Sequence, residues 1–310
     1  MVCSICLSKK LSYLFSNQDN ETKKKFKILI CRKCLHKFTI FKDHSISKFY
    51  TKNYYGSNKK KFKSIFENFS ILLRYFRIRN FLFIKNKKIL DIGFGRGIEL
   101  SFLQKKNSTY GIEISEDFFS KLRKLGIKTV LAKNLGEANF SKNYFDYVMM
   151  WHNLEHQKNV NNILKKTNEI LKSKGKLIIE VPNSESLQAK FSKKHWIYWD
   201  TPRHLHHFSR QSMSKLLKKN NFKIINFTTF SIEYGPFGMA NSIVNFFCKN
   251  KNLLYKVLLN NKIDNPDKLK YFTILFWYII IFPFAFFLEF FSSKILKKGS
   301  VLNIVAEKNV

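Results

Sequence analysis

From about residue 87 onwards, short apolar runs alternate with longer stretches in which apolar residues recur three or four positions apart. The short runs are typical of buried strands, and the longer spacing is typical of amphipathic helices such as those expected over residues 116–125 and 160–171. Alternation of strands and helices at this length predicts a doubly wound, Rossmann-like α/β fold with a seven-stranded sheet. The predicted strands cover residues 88–92, 109–114, 128–132, 144–151, 175–181, 222–232 and 301–306.

Three segments depart from this alternation. Residues 1–41 contain two pairs of cysteines around a Lys-rich stretch and predict a small head. Residues 42–86 predict a linker followed by a helix from about residue 59 to 83. Residues 235–298 form an apolar helical insertion, so the α/β domain is expected to comprise residues 87–234 plus 299–310.

The charge of the chain is extreme, with a formal net charge of +35 over 310 residues. Such a balance fits nucleic acid, anionic lipid or an acidic substrate as a partner. The lysines are scattered, however, and Asn, Ile, Phe and Tyr are also abundant, as expected from an AT-rich genome. The charge alone therefore does not establish a partner.

The cysteine pairs predict a metal site. The first ten residues show no secretory pattern, which predicts a cytoplasmic protein whose thiols stay reduced. Four thiolates from two CxxC pairs match a structural, closed Zn²⁺ site of the ribbon or knuckle type. The alternative roles of the metal are a simple folding staple and the positioning of a substrate or partner. The predicted ligands are Cys3, Cys6, Cys31 and Cys34.

A glycine turn follows the first strand of the predicted sheet, in the sequence Asp91-Ile92-Gly93-Phe94-Gly95-Arg96-Gly97. Glycines there allow a tight turn and let a ligand lie against main-chain N–H groups. Glu113 ends the next strand, where an acid can accept hydrogen bonds from both hydroxyls of a ribose. A nicotinamide dinucleotide site is the alternative, but its fingerprint is GxGxxG, whereas the spacing here is DxGxGxG. A turn without a ligand is the other alternative.

Residues 87–230 resemble the class I S-adenosylmethionine-dependent methyltransferases, and they are especially similar to the branch acting on quinones, sugars and other small molecules. The resemblance rests on the glycine turn, on His152-Asn153-Leu154-Glu155-His156 after the fourth strand, and on the PRHLHHFS run at residues 202–209. It implies that S-adenosylmethionine is the cofactor, with Glu113 on its ribose. The other implied cofactor residues are Asp91, Gly93, Gly95 and Gly97, together with Asn134 and Leu135 beside the adenine. An acid often stands where this chain has Asn134.

Several polar residues are candidates for the chemistry. His152 and His156 lie beyond the fourth strand, on the crevice side of such a sheet, and either is a candidate general base, as is Glu155. Trp199, Arg203 and His204 are expected to shape the substrate pocket under a lid formed by residues 202–209. A metal at His204, His206 and His207 is disfavoured, because the spacing is loose and no acid or cysteine completes a site.

The segment from residue 271 to 288 has eighteen residues without a charge and reaches the lower limit for a membrane span. If the last strand returns to the sheet, both ends of the insertion lie on one side, which favours a re-entrant hairpin that breaks near Pro283. A single span, a soluble helical subdomain and a dimer interface are the alternatives. The favoured partner of residues 271–291 is the inner face of the membrane, where flanking lysines meet anionic headgroups.

These features predict a methyltransferase that acts on a small-molecule, sugar or glycan, or lipid-linked acceptor at the cytoplasmic membrane face. The alternative is an RNA methyltransferase with a zinc-finger recognition module. The fourth strand lacks the (D/N)PP(Y/F) tetrapeptide that positions a flipped base, which argues against nucleic acid without excluding it. A third hypothesis is a non-catalytic scaffold, and the intact glycine turn with Glu113 argues against it.

Overall fold

The computed structural model describes residues 1–19, 22–41, 46–50, 64–247 and 268–309. The strands are β1 Leu11–Gln18, β2 Lys25–Cys31, β3 Lys37–Thr39, β4 Lys88–Ile92, β5 Ser108–Glu113, β6 Lys128–Leu131, β7 Phe145–Trp151, β8 Leu171–Pro182, β9 His206–His207, β10 Phe222–Thr228 and β11 Val301–Lys308. The α-helices are α1 Ser64–Ile78, α2 Ile98–Leu103, α3 Phe119–Lys124, α4 Val160–Ile170, α5 Leu187–Ser192, α6 Arg210–Lys219, α7 Gly235–Phe247 and α8 Lys268–Lys294.

The central sheet has seven strands in the order β10-β11-β8-β7-β4-β5-β6. Strands β4 to β8 run parallel to one another, and β11 is antiparallel to both β8 and β10. The predicted doubly wound seven-stranded fold is therefore confirmed. Because β4 lies between β7 and β5, the residues that follow these three strands meet at one edge of the sheet.

The middle strands of this sheet are buried on both faces. β8 reads Leu-Ile-Ile-Glu-Val-Pro over residues 177–182, and all six residues are buried. Such a continuous apolar run is typical of parallel strands that are covered by helices on both sides. Glu180 is the one acid within it, and its side chain is fully buried at the carboxyl end of the strand.

The head is connected to the α/β domain through a shared sheet. β1, β2 and β3 form an antiparallel sheet whose fourth strand is β9, from the PRHLHHFS run. Lys37 and Phe38 pair with His207 and His206, and the Thr39 N–H donates to the Leu205 carbonyl. The head sheet is therefore completed only by residues that lie more than 160 positions later in the chain.

Two helices of the structure differ from those predicted from the sequence. α1 ends at Ile78 and is followed by a short 3₁₀ turn over Arg79–Phe81, whereas its expected start near residue 59 lies outside the described residues. The predicted hairpin break at Pro283 is wrong, because α8 continues through it from Lys268 to Lys294. Proline fits the φ angle of a helix and removes only one hydrogen bond, a loss that contacts along the helix can offset.

α8 lies against α7 through one face only. Met239, Ala240 and Ala285 are buried between the two helices. The carboxylate of Glu289 accepts a hydrogen bond from the Ser300 N–H at 2.7 Å, which fixes the end of α8 near the start of β11. Within the described part of the chain, one helical stretch, Phe276–Lys294, is long and apolar enough to cross a membrane by length and composition, with a mean hydropathy of 1.7.

Candidate active site

The glycine turn connects β4 to α2, and all three of its glycines have positive φ angles of +74°, +55° and +64°. A Cβ atom on Gly93 would lie 2.0 Å from the Asn153 side chain, and one on Gly97 would lie 2.5 Å from Leu122. A Cβ on Gly95 would meet no atom within 4 Å. Neighbouring side chains therefore cover the turn at Gly93 and Gly97. Gly95 is uncovered, so a ligand can approach the backbone there.

Asp91 lies just before this turn, and its carboxylate is 1% exposed. Neither of its oxygens accepts a hydrogen bond from any described residue. Burial raises the pKa of Asp91 to about 7, with Glu113 adding to the rise, while Arg77 and Arg74 oppose it. A buried carboxylate without a hydrogen-bond partner is costly, and an ammonium group placed beside it would compensate that cost.

Glu113 ends β5 and points back to the turn. Its Oε2 accepts a hydrogen bond from the Gly95 N–H at 2.8 Å, and its Oε1 accepts one from the Ile114 N–H at 2.8 Å. Burial raises the pKa of Glu113, and these two hydrogen bonds work against the rise. Since a carboxylate oxygen has two lone pairs, each oxygen can still accept a hydrogen bond from a ribose hydroxyl.

The two predicted adenine neighbours follow β6. The Asn134 side-chain oxygen accepts the Gly136 N–H at 2.9 Å, and its amide group donates to Glu137 at 2.6 Å. Leu135 is buried in the main core. Asn134 therefore shapes the loop through its own hydrogen bonds, and its contact with an adenine stays a prediction.

His152 lies at the carboxyl end of β7 with both ring nitrogens facing acids. Its Nε2 is 2.9 Å from Glu180 Oε1 and its Nδ1 is 3.3 Å from Glu155 Oε1. Burial disfavours the charged ring, but these two carboxylates outweigh it and raise the pKa of His152 to about 9. His152 is therefore an imidazolium at neutral pH and has no nitrogen that can take a proton.

Burial also works against the ionised form of Glu155, but His152 lowers the pKa of that carboxyl to about 2. His156 differs from His152, because burial and the neighbouring His204 lower its pKa to about 4. The ring of His156 is therefore neutral. Of the two histidines predicted as general bases, His156 is the one with an unprotonated nitrogen at neutral pH.

Two largely buried arginine side chains of α1 complete this charged cluster, and sequence reasoning missed them. Arg77 pairs with Glu99 and lies 3.3 Å from both Glu180 and Glu233, while Arg74 lies 3.2 Å from Glu233. The guanidinium of Arg77 also lies over the Trp151 ring, 4.9 Å from its centroid. The available signals were the i, i+3 spacing of two arginines on an apolar helix and the acid inside strand β8.

The three predicted pocket residues lie between the α/β domain and the head. Trp199 is buried, with its ring 5.0 Å from that of Phe15. The guanidinium of Arg203 binds Asp19 at 3.0 Å and also Asp200. His204 Nδ1 is hydrogen-bonded to the Tyr198 carbonyl at 2.8 Å. A contact of these residues with substrate stays a prediction.

The four cysteines of the head come together as free thiols. Their sulfurs lie within 4.8 Å of one another, with 3.5 Å between Cys3 and Cys34 and between Cys6 and Cys31. Both CxxC loops have the same local form, since Leu7 and Leu35 each adopt a positive φ near +58° to +59°. The N–H of each leucine donates to the carbonyl of the first cysteine in its pair.

Comparison with known proteins identifies the α/β domain. The family described as methyltransferase domain matches residues 68–226, just over half of the chain, and the chain belongs to that family. The match begins within α1 and includes Arg74 and Arg77, so the arginine-bearing part of this helix belongs to the family domain. The S-adenosylmethionine cofactor of such domains fits the Asp91 carboxylate, which accepts no hydrogen bond from the described residues, the open side of Gly95 and the position of Glu113.

Two uncharacterized proteins of Methanocaldococcus jannaschii are similar to parts of the chain. MJ0638 is 37% identical over 129 residues, which cover 40% of this chain and 51% of that protein. MJ1123 is 28% identical over 143 residues, which cover 45% of this chain and 66% of that protein. The chain thus spans between half and two thirds of the length of the curated relatives it matches.

Solved structures with the same fold have little sequence identity. The [4+2]-cyclase SpnF aligns with a TM-score of 0.51 at 13% identity, covering 82% of this chain and 86% of that one. A SAM-dependent methyltransferase from Archaeoglobus fulgidus aligns with a TM-score of 0.48 at 18% identity, covering 85% of this chain and all of that one. The SpnF alignment shows the fold alone, and a fold does not by itself decide the reaction.

The pKa of Asp91 predicts that cofactor binding depends on pH. Because an ionised Asp91 attracts the cofactor's ammonium group and a neutral one does not, affinity for S-adenosylhomocysteine should rise roughly five- to tenfold between pH 6 and pH 8. Calorimetric titration measures this. Asp91→Asn should bind more weakly and lose the pH dependence, and an equal slope in both proteins would contradict the assignment.

Proposed function

We propose that the protein is an S-adenosylmethionine-dependent methyltransferase whose acceptor is a small molecule, a sugar or glycan, or a lipid-linked compound at a membrane surface. The observation that carries this proposal is the buried Asp91 carboxylate, which accepts no hydrogen bond from a described residue and lies beside an open glycine and the Glu113 carboxylate. An ammonium group and a ribose diol are the two groups that these acids suit. S-adenosylmethionine contains both.

When bound, the cofactor supplies an electrophilic methyl group. Asp91 would hold its amino group, and Glu113 would accept hydrogen bonds from its ribose. Arg77 forms an ion pair with Glu180, and Glu180 in turn stabilises the charged form of His152. These three residues therefore shape the site and its charge, and they do not remove a proton from the acceptor. Asn153 lies against Gly93, which places the His152–His156 segment beside the glycine turn. The acceptor would therefore lie close to this segment, where positioning contributes most to a displacement reaction.

A labelled-methyl transfer assay tests this function directly. The full-length protein should transfer label from S-adenosylmethionine to a membrane or glycan fraction, and Glu113→Gln should bind S-adenosylhomocysteine at least tenfold more weakly, because an amide cannot accept both hydroxyls equally. Label in the RNA fraction alone would favour the RNA alternative. Failure to bind S-adenosylhomocysteine would overturn the enzymatic proposal.

We also propose a structural Zn²⁺ on the four cysteines of the head. Sulfurs bonded to tetrahedral zinc at about 2.3 Å stand roughly 3.8 Å apart, close to the 3.5 Å separations of the two cross-pairs. Two matching knuckle turns support the same geometry. A disulfide would need about 2.05 Å between sulfurs. Because β3 pairs with β9, the metal would also stabilise the segment that carries His204.

Replacement of one thiolate tests the zinc proposal. Cys31→Ser should lower the zinc content by one equivalent per chain and lower the melting temperature, because a site of three thiolates holds zinc weakly and the head has little core of its own. Elemental analysis and thermal unfolding measure these effects. Ser16→Ala, a change in the same sheet outside the four thiols, is the control. Unchanged zinc content in Cys31→Ser would refute the site.

We propose further that the outer face of α8 lies on an anionic membrane surface. Among the described side chains of this helix, the exposed large apolar ones are Phe276, Trp277, Ile279, Ile280, Phe284, Phe286, Phe287, Phe290 and Phe291. A contiguous apolar surface of this kind marks an interaction site. The lysines on either side of the apolar stretch, at residues 268, 270, 294, 297 and 298, favour anionic lipid headgroups over a neutral partner.

Vesicle co-sedimentation measures this association. Phe284→Asp should lower the partition coefficient on anionic vesicles at least tenfold, because it places a charge on the apolar face. Phe83→Asp is the matched control, since Phe83 is 84% exposed but lies outside α8. Equal sedimentation of all three proteins would contradict the proposal. A wild-type protein that does not co-sediment with vesicles but dimerises through α8 would also contradict the membrane proposal.

A further inference from the structure

A second group of metal-ligating side chains lies beside the candidate active site. A carboxylate oxygen of Glu155, a ring nitrogen of His156 and a ring nitrogen of His204 lie within 4.8 Å of one another. Glu155 and His204 are buried, and His156 is partly buried. The three residues come from two segments, the HNLEH motif after β7 and the PRHLHHFS run, which the fold brings together.

The Glu155 carboxylate has unused capacity for a ligand. Neither of its oxygens accepts a hydrogen bond from a described residue, although the residue is fully buried. His152 Nδ1 approaches Oε1 at 3.3 Å and leaves Oε2 without a close partner among the described residues. His204 Nε2 lies 4.0 Å from Oε1. A buried carboxylate in this state is a candidate metal ligand.

Each of the two histidines is oriented through its Nδ1 atom. His204 Nδ1 faces the Tyr198 carbonyl at 2.8 Å, and His156 Nδ1 faces the Arg203 carbonyl at 3.0 Å. A carbonyl oxygen only accepts, so Nδ1 carries the ring proton in both bonds and Nε2 keeps its lone pair. The Tyr50 hydroxyl oxygen, also 3.0 Å from His156 Nδ1, accepts from the same N–H. Metal-binding histidines in proteins are held in this way.

The other two histidines of the PRHLHHFS run serve a different purpose. His206 Nε2 donates to the Gln157 carbonyl, and His206 Nδ1 accepts from His36 of the head at 3.0 Å. His207 Nε2 lies 2.9 Å from Thr39 Oγ1, which itself donates to the His204 carbonyl. These bonds fix the run against the head and leave His204 as the member directed to Glu155.

We propose that Glu155, His156 and His204 bind a second divalent cation of the first transition row, separate from the zinc of the head. Two imidazoles and one carboxylate suit Zn²⁺, Mn²⁺ or Fe²⁺. Ligand atoms about 2.1 Å from such an ion stand roughly 3.4 Å apart, so side-chain shifts of about 1 Å close the present group around it. Asp200 Oδ2, 3.9 Å from His204 Nε2, is the nearest further acid, and its carboxylate is already paired with Arg203.

Three protein ligands leave a position open, as in catalytic metal sites. This part of the inference rests on the proposed methyl transfer: the open position would take a hydroxyl oxygen of the acceptor. The cation would lower the pKa of that hydroxyl, whose proton would pass to water. A lone pair of the oxygen would then form the bond to the methyl carbon as the carbon–sulfur bond breaks, and the electron pair of the broken bond would stay on sulfur. The acceptor class is thus an alcohol or phenol.

Metal analysis of the full-length protein tests the binding site by itself. After loading with Zn²⁺ and removal of free metal, we expect two equivalents per chain in the wild type and one in Glu155→Gln and in His204→Gln. Cys31→Ser is the reciprocal control and should keep the second equivalent. Cobalt substitution adds a readout that does not depend on activity, because the head gives thiolate-to-cobalt absorption and the second site gives weak d–d bands alone.

The outcomes separate the two proposals. A single equivalent that disappears in Cys31→Ser, or two equivalents in a folded Glu155→Gln, would overturn the second site. Two equivalents without any methyl transfer would leave the site standing and remove the proposed function. Transfer to a hydroxyl that persists in Glu155→Gln after the second metal is lost would overturn the role of the cation in the reaction.

Discussion

The structure around the candidate active site depends on the mutual compensation of buried charges. Arg74 and Arg77 reach from α1 into a group of acids contributed by α2, β8 and the loop after β10, namely Glu99, Glu180 and Glu233. Charges taken out of water cost several kcal/mol each unless they are paired. These ion pairs therefore hold α1 in its present position. The family match, which starts at residue 68, includes the part of α1 that carries both arginines. Removal of Arg77 would take one cationic partner from each of the three acids, and removal of Arg74 would take one from Glu99 and one from Glu233.

This compensation also decides what the histidines can do. His152 lies between two carboxylates and takes the positive charge that they require, whereas His156 lies beside His204 and stays neutral. The two residues look equivalent in the HNLEH motif, and only their neighbours distinguish them. Perturbed side chains of this kind concentrate at functional sites because the same burial that raises the cost of a charge also strengthens its effect on a ligand.

Patterns within one segment could be interpreted from the sequence, and contacts between distant segments could not. Strand periodicity predicted the sheet, and the spacing of Asp91, the glycines and Glu113 predicted a cofactor site. The structure brings these residues together at one turn, and their contacts with a cofactor stay a prediction. The continuity of α8 through Pro283 escaped prediction, because it depends on tertiary contacts with α7. The group of Glu155, His156 and His204 escaped it too, since nothing in either motif tells which histidine of the PRHLHHFS run turns inward. The contacts of His36 with His206 and of Thr39 with His207 hold those two histidines against the head and leave His204 facing Glu155.

The antiparallel pairing of β3 with β9 has a consequence for how the chain folds. The head is synthesised first, yet its sheet waits for a strand about 170 residues downstream, so its last edge stays unpaired while most of the α/β domain is made. Contacts between residues so far apart in the chain are slow to form, and an uncovered edge is prone to wrong pairing in the meantime. A metal held by the two cysteine pairs needs only the first 34 residues, and it could keep the nascent head compact until its fourth strand emerges.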